Sequence, residues 1–187
     1  MNDRITDKKL ANKRFRKTEE AIIMAFFVTK DKVNINRIIK TAGISRSTLY
    51  RHHKSLDSIV PNYERYIIKK YNHVVKCIIK CKNNNLKSIY QRILIFLSCN
   101  KIIINFLYTH GDDKIIEKMI MLLKPYIASH YYLSQEKIFN IYAKEVTGLM
   151  EEWIKNGYSF NTINNTVDNI VYITKSAYTR LSPIIQE

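Results

Sequence analysis

Chain-breaking residues are almost absent from this sequence, and that constrains its fold more than any other feature. Among 187 residues there are only four glycines and three prolines. β-Sandwiches, Gly-rich phosphate loops, collagen-like chains and disordered linkers all need many more. Apolar residues instead recur at three- and four-residue spacing, the period of amphipathic helices. Hydrophobic residues make up 46% and charged residues 25%, enough to bury a sizeable core. The expected class is therefore all-α, with about nine helices by this spacing.

The formal net charge is +15, from 31 basic and 16 acidic residues. Such a surplus suits a polyanionic partner, either nucleic acid or an acidic membrane surface, although a Lys-, Asn- and Ile-rich bias would also produce it. Its distribution favours a binding surface: residues 1–54 hold 14 Lys/Arg against 5 Asp/Glu, whereas 55–187 hold 17 against 11. The start, Met1 to Lys9, is polar and charged, with no apolar signal-peptide segment behind it. No apolar run approaches the roughly 20 residues of a membrane span. Cys77, Cys81 and Cys99 are an odd set without a secretion signal, as in a reduced cytoplasmic protein. A cytoplasmic location and no membrane partner are expected.

Residues 1–11 read as a loose polar tail. A helix follows from Lys13 to about Thr29, with Phe15, Ala21, Ile22, Ala25, Phe26 and Val28 on its apolar face. Lys13, Arg14, Arg16 and Lys17 crowd its start, where positive charge opposes the helix dipole and an external phosphate would explain it. Asn34 is a good N-cap for a short helix to Thr41, and Gly43 suits the left-handed residue that ends it. Ser45 can cap the next short helix, Arg46 to His52. Two short helices joined by a Gly-containing turn are the helix-turn-helix unit. Further helices are expected from about Ser55 to Cys81 (with Pro61 tolerated in the first turns), over 86–98, over 100–109, from Asp113 to Tyr131, from Ser134 to Lys155, and from Thr162 to Leu181. Asp112 and Ser134 are the expected caps, Pro125 should kink or split its helix, and Asn156-Gly157 should stop the penultimate one. The division is read as a helix-turn-helix domain over 1–54 and a larger helical domain over 55–187.

The stretch NINRIIKTAGISRSTLYRHHKSLDSI, from Asn34 to Ile59, resembles the DNA-binding head of TetR-family transcriptional regulators. Ile38, Ala42, Gly43, Ile44, Ser45, Leu49 and Tyr50 stand in the register of that family's pattern. Two positions depart from it: His53 stands where an aromatic Phe is usual, and Leu56 where a Lys is usual, with Lys54 placed to supply the phosphate contact. Trp153 and Gly157 match the family's Trp-x-x-x-Gly ending of the penultimate helix. The resemblance implies an all-helical regulator that binds palindromic DNA as a homodimer, generally as a repressor and sometimes as an activator, and that a small ligand releases.

A recognition helix lies in the major groove with its N-terminal residues on base edges. Here these are Ser45, Arg46, Ser47 and Thr48. Arg46 can contact guanine with two hydrogen bonds, and Ser47 and Thr48 can reach phosphates or a thymine methyl. By resemblance, Tyr50, His52, Asn34 and Asn36 contact the backbone. Leu49, Ala42 and Ile44 are expected in the core.

In the larger domain, Tyr142, Gly148 and Leu149 of the penultimate helix, with Val167, Ile170, Thr174 and Tyr178 of the last, are expected to form a four-helix dimer interface. Mid-helix Gly148 would admit the close approach of another helix. An aromatic stripe is more often core than pocket, but the resemblance implies a cavity for an apolar or amphipathic effector in these helices, placed among Phe96, Phe106, Met119, Leu123 and Phe139. His73, Cys77 and Cys81 recur every four residues along one helix face and suggest soft metal ligands or, more simply, a buried face. No metal, no cofactor and no catalytic constellation is expected: there is no Cys-x-x-Cys, His-Glu-x-x-His, Gly-rich phosphate loop or Gly-x-Ser-x-Gly, and the pairs Asp112-Asp113 and Glu151-Glu152 point to different helix sides. The alternatives are a ligandless DNA-binding protein of the same fold and a basic helical protein for RNA or anionic membrane.

Overall fold

The structure, a computed structural model, describes residues 13–29, 34–81, 85–111, 113–131 and 135–181. Among these residues it is all-helical and contains no strand. The order is α1 (Lys13–Val28), α2 (Ile35–Ala42), α3 (Arg46–His52), α4 (Ile59–Lys80), α5 (Leu86–Cys99), α6 (Lys101–His110), α7 (Ile115–Met121), α8 (Lys124–Tyr131), α9 (Glu136–Lys155) and α10 (Ile163–Leu181), with a 3-10 turn over Phe160–Thr162. The expected tail over 1–11 and the caps at Asp112 and Ser134 lie outside the described residues.

Among the described residues ten helices stand where about nine are expected by spacing, because the segment before Tyr131 is split into α7 and α8. Pro125 is the second residue of α8, where its missing N–H has no helical partner to lose. Pro61 is likewise taken into the first turn of α4. α9 stops as expected: Gly157 has φ 82°, and the Gly157 and Tyr158 N–H groups donate to Ile154 and Trp153 carbonyls. Tyr158 also takes a positive φ, 59°, held by its ring packing edge-on against Trp153 at 5.3 Å.

The chain divides into two compact units. The first joins Met1–Lys70 with Ile102–Ile115. Its core comprises Ile22, Ile23 and Phe26 of α1, Ile38 of α2, Leu49 of α3, Ile59 and Tyr63 of α4, and Ile104, Phe106 and Leu107 of α6. The unit therefore extends beyond residue 54: Tyr63 and Phe106 pack edge-on at 5.3 Å, and Phe106 meets Phe26 at 5.5 Å. α6 fits closely here, since a Cβ on Gly111 would come within 2.8 Å of Val60 Cγ1.

The second unit joins Tyr71–Lys101 with Ile116–Glu187. α10 packs on α5 and α9 around Ile89, Tyr90, Ile93, Leu94, Val146, Met150, Val167 and Ile170. A polar thread crosses this core. The Tyr90 and Tyr142 hydroxyls are hydrogen-bonded to each other, and the Thr174 hydroxyl lies 3.4 Å from that of Tyr142. Tyr142, Val167, Ile170 and Thr174, expected at a dimer interface, are instead buried in their own chain. The period of 3.6 marks which residues share a face, not which chain covers it.

Candidate nucleic-acid interface

α3 has only seven residues, too few to hold a helical shape or a direction alone. Its ends are fixed from outside. At its start, α2 closes with Gly43 at φ 63°, ψ 33°. The Gly43 N–H donates to Lys40 O at 3.3 Å and the Ile44 N–H to Ile39 O at 3.0 Å, which turns the chain sharply. The Ser45 hydroxyl then caps α3 by accepting the Thr48 N–H at 3.1 Å. Asn34 caps α2 in the same way, accepting the Arg37 N–H at 2.9 Å.

This turn presents the expected reading residues together. Ser45, Arg46, Ser47 and Tyr50 are exposed and Thr48 is half-buried, while Leu49 is core. The Ser45 hydroxyl lies 2.9 Å from those of both Ser47 and Thr48, which makes a compact polar tip. Arg46 Nη2 donates to Asn36 Oδ1 at 2.7 Å, so α2 braces the guanidinium. Asn34 has its side-chain oxygen committed to the cap, which leaves its amide nitrogen as the group suited to a phosphate. Lys54 is exposed just beyond α3, and Arg51, in the last turn of α3, is exposed too, a cation that the family pattern does not mark.

Beside the turn lies an open groove of about 610 Å³. Lys13, Arg14, Lys17, Thr18 and Ala21 of α1 form one side, and Ala42 and Ile44 the other. The basic start of α1 thus borders the same turn that aims α3. Three cations over an apolar floor suit a phosphate backbone lying along the wall.

His52 is not on this surface. Expected at the DNA backbone, it is buried and faces inward, with Phe15 stacked on it at 4.0 Å. Its Nδ1 lies 2.6 Å from Glu19 Oε1, and His53 Nε2 lies 3.0 Å from Glu19 Oε2. The Tyr63 hydroxyl donates to the same Oε2. Glu19 is 1% exposed. Burial alone would raise its pKa; hydrogen bonds from His52 and His53, with attraction to both imidazoles, outweigh that and hold the carboxyl below its usual range. The sequence does carry a signal for this residue: Glu19 shares the apolar face of α1 with Phe15, Ile22 and Phe26, where a carboxylate is out of place unless partnered.

The other expected sites fall elsewhere. Phe96, Met119, Leu123 and Phe139 are buried side chains of the second unit, whereas Phe106 belongs to the core of the first. The five do not share one unit. Gly148 and Leu149 face outward to different degrees, exposed and half-buried, and nothing lies within 4 Å of the space a Gly148 Cβ would fill. The Tyr178 side chain lies outside the described residues. His73, Cys77 and Cys81 are exposed rather than buried, with Cys77 Sγ 3.7 Å from His73 Nε2. Among the described residues no group of three or more His, Cys, Asp or Glu could hold a metal ion, and no single helix is long and apolar enough to cross a membrane.

Residues 4–76 match the family model described as the Mga helix-turn-helix domain. The match spans α1 to α3 and most of α4, less than half of the chain. No curated protein and no solved structure matches the sequence. The chain carries a helix-turn-helix DNA-binding domain of the kind found in transcriptional regulators, and the match does not single out the TetR family.

Proposed function

We propose that the protein is a sequence-specific transcriptional regulator of TetR-like organisation, acting as a repressor that binds palindromic operators as a homodimer in the cytoplasm and is released by a small apolar or amphipathic ligand. One observation carries the DNA reading: the tip of α3, with Ser45, Arg46 and Ser47 exposed, Thr48 half-buried and Arg46 braced by Asn36, stands beside a groove lined by Lys13, Arg14 and Lys17. Arg46 and the hydroxyl tip read base edges, while the groove, Lys54 and the Asn34 amide hold phosphates. No catalytic step is part of this reading.

The homodimer is supported by an outward face of α9. Ile141, Gly148 and Leu149 lie along it, with Ile141 exposed and open space over Gly148. A second copy's helix approaching there would explain a mid-helix glycine whose Cβ position has nothing within 4 Å among the described residues. Two heads carried by such a dimer would meet successive major grooves about 34–36 Å apart. The burial of all five effector candidates favours a second reading, a regulator of the same kind without a ligand.

The test is selection of bound duplexes from a random pool by the full chain. Enrichment of palindromes supports the reading. Binding that is steeply salt-dependent but without sequence preference marks a general polyanion binder instead. Operator affinity measured with candidate apolar ligands separates the two regulator readings.

A further inference from the structure

We propose that Glu19 is the positioning residue for DNA recognition: by gripping His52, His53 and Tyr63 it fixes the angle at which α3 presents Arg46 and the Ser45–Thr48 tip. The proposal rests on the DNA reading above and assigns a role to a residue that touches no DNA.

The geometry carries it. One buried carboxylate on α1 collects three partners. His52 is the last residue of α3, His53 closes that helix by donating its N–H to Leu49 O at 2.8 Å, and Tyr63 comes from α4. Glu19 therefore ties the C-terminal end of α3 to both longer helices of the head. The other end is held by the turn at Gly43, whose hydrogen bonds lie within the α2–α3 corner, and by the Arg46–Asn36 bond across that corner, with Leu49 packed in the core between the two ends. A seven-residue helix is about 10 Å long at 1.5 Å per residue. Without the grip it can pivot at the turn, and a small tilt moves every reading side chain.

Such a tilt does not cost all contacts equally. A bidentate bond to a base edge tolerates a displacement of only about 0.5 Å. Long lysine side chains follow a phosphate over a wider range, and their attraction is not tied to sequence. Loss of the grip should therefore remove discrimination and leave non-specific binding in place. A side chain that merely helps the head to fold would lower both together.

The experiment uses the full chain and compares its affinity for a duplex selected from a random pool with its affinity for an unrelated duplex at the same salt. Glu19→Gln keeps the shape of the side chain and removes its charge. Tyr63→Phe removes the hydroxyl that donates to Glu19, at Oε2 and more weakly at the backbone O, and keeps the ring against Phe106. Thermal unfolding shows that each variant is folded at the assay temperature. The expected result is a selected-to-unrelated ratio lowered about tenfold in Glu19→Gln and about threefold in Tyr63→Phe, with unrelated-duplex affinity within about twofold of the parent protein. An unchanged ratio in folded Glu19→Gln, or a parallel loss on both duplexes in either variant, overturns the positioning role. If Glu19→Gln does not fold, Tyr63→Phe decides by the same criteria. If the parent protein selects no duplex, the DNA reading itself fails and takes the positioning role with it.

Discussion

Arg46 and Asn36, ten residues apart in the chain, meet at 2.7 Å from Nη2 to Oδ1 across the corner between α2 and α3. A guanidinium has five N–H donors, and this bond engages one edge of the fork. The brace limits where the rest of the fork can point. Arg46→Ala should therefore cost about 1–3 kcal/mol of discrimination at one base pair of the operator, with little effect on unrelated duplexes. Asn36→Ala leaves the cation but frees it, and should lose a smaller part of the same discrimination. Competition binding with operator variants measures both. If Asn36→Ala instead weakens all duplexes alike, Asn36 is a phosphate contact and not a brace.

The groove beside the turn predicts a different pattern. Lys17→Gln removes a cation from its wall without touching α3. Binding to every duplex should weaken by a similar factor, and the slope of log affinity against log salt should fall by about 1. Lys54→Gln should behave in the same way. A loss confined to one sequence would place Lys17 at a base edge rather than a phosphate.

How far the sequence reveals these features depends on range. The Asn34 cap, the Gly43 turn, the Ser45 cap and the split at Pro125 are written in neighbouring residues, and each stands where local chemistry puts it. Glu19 and His52 are 33 residues apart, and nothing local says that they meet. The family pattern even places His52 on DNA, because pattern positions carry no burial. For the same reason, Thr174 and Ile170 look as fit for a second chain as for their own core. The division at residue 54 misses Tyr63 and Phe106, since only the folded chain brings 102–115 back to the head.

Gly148 offers a test of the dimer face. Its Cβ position is open and the residue is exposed in mid-helix, so Gly148→Ala should stabilise an isolated chain by about 1 kcal/mol through helix propensity. A second copy's helix packed on that face would meet the new methyl and be pushed away. The expected outcome is a higher unfolding temperature at low concentration together with a weaker dimer by sedimentation equilibrium. Higher stability with unchanged association would remove Gly148 from the interface.

Acid should loosen the head through Glu19. The group's pKa is depressed in the folded protein, the net result of burial opposed by its bonds and attraction to His52 and His53. A depressed carboxyl contributes stability that is fully present above its unfolded pKa, about 4.3, and lost as pH falls through the lower folded value. The unfolding temperature of the parent protein should therefore decline more steeply below about pH 4 than that of Glu19→Gln, which has no proton to take up at this site. Other carboxylates titrate in both proteins, so the informative quantity is the difference between the two curves from pH 7 to about pH 3. That difference should shrink as pH falls below about 4. A difference that does not shrink between about pH 5 and pH 3 would mean that the buried carboxyl is not held ionised by its partners.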